Sequence, residues 1–243
     1  MLERLDVCLV ETANAENLGA IARLAENFGL ASALLLIAPR VAPTEERALV
    51  VGRAARGRLE GARVVGTVEE AVGEASLVVG LSARRGAERP SVGLRELASF
   101  IAARAPRGRV ALLFGPESTG LRAEHVDRCD VVATIETPGP LASLNLAQAV
   151  ALVLWELSRP SSAPITNATR GGATRGELEA LLDHAFEALE AVGYFREVDR
   201  AQKRVHLRRV LGAAALTSDE VRGLHGLCTQ IVRAVRGANA KNV

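Results

Sequence analysis

Two rhythms of apolar residues run through the first two thirds of this chain. Short, continuous apolar runs at residues 5–10, 33–38, 63–66, 77–81, 110–114 and 131–135 have the length and composition of buried strands. Between them lie stretches where apolar residues recur every three or four positions, as on one face of a helix. These predict helices over 17–28, 44–56, 68–74, 93–104 and 145–157. Asn14 or Asn17 is placed to cap the first, with Gly29 as its stop. Thr44 is placed to cap the second, and Ser143 or Asn145 the last. Strict alternation of strand and helix predicts an α/β fold, a mostly parallel sheet with helices on both faces.

The pattern changes at Arg159. The run PSSAPITNATRGGATRGE is rich in Ser, Thr, Gly and Pro and reads as a linker. Beyond it only helical spacing remains. Thr174-x-x-Glu177 and Thr217-x-x-Glu220 are capping boxes, and a further helix is expected over about 199–211. The expected organisation is a domain over 1–160, a linker over 161–174 and a helical extension over 175–243.

Composition narrows the class. Hydrophobic residues make up 49% of the 243 positions and charged residues 24%, which suits a folded globular chain. Net charge is +2, but of the 30 basic residues only Lys203 and Lys241 are lysines; arginine's planar fork suits phosphate recognition. Cys8, Cys129 and Cys228 form no CxxC pair, and the four histidines form no HExxH pattern, so no metal is expected. Acids interrupt MLERLDVCLVE, which argues against a secretory signal, and the greasy helix ending at Leu157 is short of the ~20 residues that span a bilayer. The expectation is a cytoplasmic protein without a membrane partner.

Four constellations could carry chemistry. In Asn17-x-Gly19-x-x-x-Arg23, Arg23 lies nearly two helical turns from Asn17, on roughly the same side, among small residues; Gly19 leaves room for a backbone or a ligand. Phe114-Gly115-Pro116-Glu117-Ser118-Thr119-Gly120 leaves a buried strand through a glycine. It lacks the Lys-Ser/Thr of a nucleotide-triphosphate loop, and no G-x-G-x-x-G follows the first strand. Gly80-Leu81-Ser82-Ala83-Arg84-Arg85 exits another strand. This stretch, the Gly115 loop and Ser143 after the Pro138–Pro140 loop all follow strand carboxyl ends, where α/β folds bind ligands. The fourth, residues 196–209, carries six basic residues against Glu197 and Asp199, with Tyr194 and Phe195 just before it to stack on a base.

Taken in order, Asn17-x-Gly19-x-x-x-Arg23, Phe114-Gly115-x-Glu117-x-x-Gly120-Leu121 and Ser143-Leu144-Asn145-x-Ala147 resemble the three motifs of the SpoU/TrmH branch of the SPOUT RNA 2′-O-methyltransferases. The likeness covers about residues 1–160. Val10-Glu11-Thr12, the Leu81–Arg84 loop and the three-helix tail look more narrowly like the TrmJ-type tRNA enzymes, which methylate the ribose of nucleotide 32 in the anticodon loop. The resemblance implies a C-terminal deep trefoil knot and a homodimer packed through the last helix of the domain, by way of Leu146, Val150, Val153 and Leu154. It implies S-adenosylmethionine held by Leu81, Ser82, Ala83, Gly115, Ile135, Ala142, Ser143 and Leu144. Arg23, Asn17, Glu117 and Asn145 take the catalytic positions, with Asn17 and Glu117 holding Arg23 or the RNA. The tail would grip RNA through Arg200, Lys203, Arg204, Arg208 and Arg209, with Arg23 meeting it at the site. Ribosomal RNA as target, and a non-catalytic RNA-binding module, are the alternatives. Two stretches depart from the family's habit: Ser118 stands where an Arg is frequent, and Ala15-Glu16 where Pro-Gly is frequent.

Overall fold

A computed structural model describes residues 1–82, 90–105, 107–140, 143–159, 172–195 and 200–239. The chain runs β1 (Leu5–Val10), α1 (Ala15–Asn27), β2 (Leu35–Ile37), α2 (Glu46–Val51), α3 (Arg56–Glu60), β3 (Arg63–Val65), α4 (Val68–Val72) and β4 (Leu77–Leu81). It continues through β5 (Ser91–Gly93), α5 (Leu94–Arg104), β6 (Val110–Phe114), α6 (Ala123–Val126), β7 (Val131–Thr134) and α7 (Leu146–Ser158). Three helices close it: α8 (Arg175–Ala191), α9 (Arg200–Ala213) and α10 (Ser218–Asn239).

All strand pairs are parallel, in the order β3-β2-β1-β6-β4-β7-β5. Side chains alternate across the pleat, so each central strand feeds two cores. Leu5, Val7, Leu9, Val79, Leu112 and Phe114 face the helices α1, α5 and α7. Cys8, Val10, Val78, Ala111 and Leu113 face α4 and Cys129. This two-sided burial is why the strands read as unbroken apolar runs.

Several expectations change. The helix over 44–56 is three pieces: α2, a 3-10 turn at Arg53–Ala55, and α3. Gly52 ends the first piece, and α2 starts after Glu45, so Thr44 caps nothing. Gly19 explains the break, since a Cβ there would collide with the Ala48 carbonyl and the Gly52 amide. The space at Gly19 is filled by backbone, not by a ligand. Gly93 precedes its helix and belongs to β5, and β7 stops one residue short of Ile135.

The helical extension docks on the sheet at the amino ends of its strands. Arg175 N donates to Ala75 O (2.5 Å) and Gly176 N to Gly73 O (2.7 Å). Buried Arg175 donates to Asp130 Oδ1 at 2.7 Å, while Asp130 Oδ2 accepts from Val78 N at 2.8 Å. Thr174 caps α8 in a full capping box with Glu177. Small apolar clusters, Ala173–Leu178–Leu181–Val221 and Ala188–Cys228–Val232, hold the helices together. No helix among the described residues is long and apolar enough to cross a membrane.

Candidate active site

The carboxyl ends of β4, β6 and β7 open onto one cavity of about 280 Å³. Leu81 and Ser82 line it from β4, Phe114 through Leu121 from β6, Ile135 from β7, and Ser143, Leu144, Leu146 and Ala149 from the turn into α7. Of the expected cofactor residues, Leu81, Ser82, Gly115, Ile135, Ser143 and Leu144 therefore converge. Ala83 and Ala142 lie outside the described residues. Leu121, quoted within the second motif without a cofactor role, lines the cavity too, and Leu146 and Ala149 were not expected there; contiguity with the third motif was their one signal.

The loop after β6 is tight by necessity. A Cβ on Gly115 would overlap the Gly120 carbonyl carbon and the Leu121 amide, so the loop closes on itself over a residue without a side chain. Gly120 has φ +67°, the left-handed region that glycine enters freely. Gly120 N and Thr119 N both bond Pro116 O, at 2.8 and 3.3 Å. The result is a thin, rigid wall of apolar carbon and backbone polar groups, suited to a small flat ligand.

Beside the cavity three side chains interlock. Asn17, buried at 6% exposure, donates from Nδ2 to Glu117 Oε1 at 3.0 Å. Asn145 Nδ2 donates to Asn17 Oδ1 at 2.9 Å. Glu117 also accepts from the Ala13 and Asn14 amides, each at 3.3 Å. Neighbouring caps fix the network further: Asn14 caps α1 through the Glu16 and Asn17 amides, and Asn145, not Ser143, caps α7 through those of Ala147 and Gln148. The network thus joins the starts of α1 and α7 to the loop after β6.

Arg23 is not in it. Six residues at about 100° each leave Arg23 roughly 120° around α1 from Asn17, so the shared face expected from spacing does not exist. Asn17 points into the protein and Arg23 into solvent. Asn17 and Glu117 hold each other and the backbone instead of holding Arg23.

A second ionic cluster flanks the cavity. Glu11 follows β1 with φ +49° and takes Arg40 (2.5 Å) on one oxygen and Arg122 on the other. The hydrogen bonds from Arg122 and then Arg40 lower the Glu11 pKa to about 2. Arg122 also donates to Glu124 at 2.7 Å, and its own pKa is raised by Glu11 and Glu124. Neither Glu11 nor Arg122 was singled out in the sequence for this role, and a separation of 111 residues hides the pair.

The structure also redistributes the basic residues of the tail. Arg208, 8% exposed, forms a forked pair with Glu179 at 2.6 and 2.9 Å and belongs to the packing of α8 on α9, not to an RNA-facing surface. Burial pushes the Glu179 pKa up, but Arg208, Arg175 and Arg204 outweigh it and hold it below the ordinary carboxylate value. Arg200 pairs with Glu190 at 2.9 Å and Arg204 with Asp183 at 2.5 Å. Arg209 lies 3.2 Å from His206. Lys203 sits over the Tyr194 ring, 4.4 Å from its centroid. Phe195 stacks on Phe186 at 4.8 Å, and Tyr194, at 53% exposure, carries Lys203 over its ring and meets Phe195 edge-on.

The expected dimer residues on α7 are corrected too. Leu146, Val150, Val153 and Leu154 are buried in the chain's own core, packed toward α1 and α5. The outward apolar side chains of α7 are Leu152 and Trp155, at 41% and 62% exposure.

Comparison with known proteins accords with this geometry. Residues 4–155 match the SpoU rRNA Methylase family. The tRNA (cytidine/uridine-2'-O-)-methyltransferase TrmJ of Escherichia coli K12 is 31% identical over 248 residues, covering 99% of this chain and 100% of that enzyme. The crystal structure of TrmJ from Z. mobilis ZM4 superposes with a TM-score of 0.80 at 33% identity, over 93% of this chain and 98% of that one. A probable methylase family protein from Haemophilus influenzae Rd KW20 gives 0.60 at 27% identity, over 98% and 100%.

Proposed function

This chain belongs to the SpoU rRNA methylase family and is an S-adenosylmethionine-dependent RNA 2′-O-methyltransferase related to bacterial TrmJ; we propose that it acts on tRNA, at the ribose of nucleotide 32 in the anticodon loop. The observation that carries the site assignment is the convergence of the β4, β6 and β7 exits and the turn into α7 on one cavity beside the Asn17–Glu117–Asn145 network.

The residues fit the cofactor. Gly115 lets two stretches of backbone meet where a side chain would block them, and Leu81, Leu121, Ile135, Leu144 and Leu146 supply apolar surface for an adenine. Backbone groups near Leu81, Gly115, Ile135 and Leu144 would hold adenine and ribose, with Ser82 and Ser143 close by. Bound there, S-adenosylmethionine supplies an electrophilic methyl group. The chain's own part is to place a ribose hydroxyl in line with it, because positioning supplies much of the rate in such a transfer.

A 2′-hydroxyl is a poor nucleophile until its proton leaves. A guanidinium, with pKa above ~12, is a very weak base. Arg23 therefore acts by orienting the hydroxyl and stabilising charge, with the proton leaving through a substrate phosphate. Arg23 faces solvent, and no hydrogen bond or ion pair engages it among the described residues, which supports its use toward RNA. Asn17 and Glu117 keep the cavity wall in register with α1, and Asn145 with Ser143 positions the ribose. Lys203 and Arg209, with Arg200 and Arg204 once their acids are exchanged for phosphate, form the RNA-facing part of the extension.

We further infer that the chain is a homodimer and that its C-terminal α/β segment is knotted. Strand β7 lies between β4 and β5, and the turn into α7 returns beside the loops of β4 and β6; both features suit a threaded chain end. Leu152 and Trp155 give α7 an apolar face to share between copies.

Arg23→Ala is expected to bind S-adenosylmethionine with wild-type heat in calorimetry yet transfer no methyl to tRNA. Undiminished transfer removes Arg23 from the mechanism. Mass-spectrometric mapping of ribose methylation in total RNA, with and without the protein, fixes the target: methyl gained at nucleotide 32 supports the proposal, and methyl gained in ribosomal RNA replaces it. A chain that binds RNA but takes up no cofactor is a non-catalytic module.

A further inference from the structure

The cavity wall after β6 is strapped to the segment after β1 at two points, by one carboxylate from each side. From the wall, Glu117 reaches the Ala13 and Asn14 amides and Asn17. From β1, Glu11 reaches Arg122, the residue that follows the lining pair Gly120–Leu121. The first strap belongs to the network already described. The second has no role in it.

Three features set Glu11 apart. Its φ of +49° is unfavourable for any residue with a Cβ, and one of two consecutive strand exits built this way; Ala38, after β2, has φ +44°. The strained turns are held by backbone bonds in sequence: Glu11 N to Ile37 O at 2.8 Å, Ala38 N to Val65 O at 2.9 Å, Arg40 N to Thr12 O at 2.9 Å. The Glu11 side chain is 15% exposed although both arginines reach into water. An ion pair with such exposed partners adds little to stability, and a left-handed residue subtracts from it. What the arrangement does provide is a fixed location for Arg122.

The other bonds of Arg122 do not supply that. Its contacts with Glu124 and with the His125 ring are two and three residues away and shape only the local turn. Within the loop, Gly120 and Thr119 bond Pro116, again locally. Glu11 alone, among the described contacts of Arg122, ties the far end of the wall to the sheet. Leu121 in turn rests on Gly80, where an added Cβ would come within 3.1 Å of its Cδ1, so the wall's position is set by a side chain that has no slack on the β4 side.

We propose that Glu11 is a positioning residue for the methyl-donor cavity, fixing the Gly120–Leu121 wall through Arg122. This rests on reading that cavity as the S-adenosylmethionine site. Glu11 touches neither donor nor RNA, so its loss is felt in cofactor affinity and not in the chemical step.

The test uses the full-length protein and the variants Glu11→Gln, Glu11→Asp, Arg122→Met and Arg40→Met. S-adenosylmethionine binding is measured by calorimetry, alongside kcat, both KM values and the thermal midpoint. Glu11→Gln and Arg122→Met are expected to raise Kd and KM for S-adenosylmethionine roughly tenfold, less than the hundredfold that a ~1 Å misplacement of reacting groups costs. The kcat and the KM for tRNA stay near wild type. Glu11→Asp recovers part of the affinity, and Arg40→Met, which touches no wall residue, leaves it unchanged. Wild-type cofactor affinity in Glu11→Gln and Arg122→Met, or an equal loss in Arg40→Met, overturns the proposal. Absence of cofactor heat in the wild type overturns the reading of the cavity and the proposal with it, and is distinguished because the variants then have nothing to lose.

Discussion

Replacing Arg208 by Met separates what charge counting suggests from what packing imposes. Arg208 donates both arms of its fork to Glu179, whose carboxylate is 25% exposed. Removing one partner of a fully buried pair costs about 3–5 kcal/mol, because the other charge is stranded. Glu179 is less isolated than that. It keeps Arg175 at 3.5 Å and Arg204 at 3.7 Å, and water reaches it. The expected loss is therefore about 1.5–2.5 kcal/mol. For a chain of this length each kcal/mol shifts the midpoint by roughly 2–4 °C, so Tm falls by about 3–10 °C. Urea unfolding gives the same quantity independently. Well below the transition, tRNA affinity and its salt dependence should match wild type, since a residue that never met phosphate releases no counterion. The double variant Arg208→Met/Glu179→Met should recover only part of the loss, because apolar replacement suits the buried pair but also takes Glu179 from Arg175 and Arg204. If Arg208→Met keeps wild-type stability while the logarithmic salt slope shrinks by about one unit, Arg208 faces RNA and the packing argument is wrong.

Gly115→Ala is expected to abolish cofactor binding in calorimetry while the far-ultraviolet circular dichroism stays native, because the collision with Gly120 and Leu121 lies in the cavity wall. Asn145→Ala removes a helix cap worth about 1 kcal/mol and the bond to Asn17; unfolding should show at least that loss, and methyl transfer should fall with it. Glu177 and Glu179 have carboxyl pKa values below the ordinary 4.5, so their stabilising contribution is whole above that pH and is lost as pH falls below it; Glu11, paired with exposed arginines, adds little to this. A Tm measured from pH 7 to 3 should hold down to about 5 and then decline; a Tm that rises on acidification contradicts the assignments. Lys203→Ala should weaken tRNA binding and lower the salt slope by about one, without the stability loss of Arg208→Met.

The strands of the central sheet were legible because both faces are covered, which leaves an apolar residue at nearly every position. β5 was not: Ser91-Val92-Gly93 has one apolar residue and becomes a strand only because β7 offers it backbone partners. Likewise α6 is one turn of AEHV without a side-chain cap of the usual chemistry. Capping boxes were read correctly at Thr174 and Thr217 because both halves of each bond lie within four residues. The 44–56 helix failed for the opposite reason, since Gly52 answers to Gly19, thirty-three positions earlier.

The same distinction governs the site. Motif order brought the cavity loops together on paper, because each loop is local and carries its own glycine or asparagine. Pairing between loops is not local. Charge and spacing could place Arg208 and Lys203 on one basic helix, but not say that Glu179 lies under the first and a Tyr194 ring under the second. Nor could they orient α7, whose apolar residues are numerous enough to serve two faces. The buried set is decided by where α1 and α5 stand, and Leu152 and Trp155 are what is left over. If a second copy covers that remainder, Trp155→Glu should shift the chain toward monomer in sedimentation while the fold persists, since the indole is mostly exposed and lies outside the core cluster. Loss of methyl transfer in that monomer, with cofactor binding retained, would mean that the ribose is presented by surfaces of two chains.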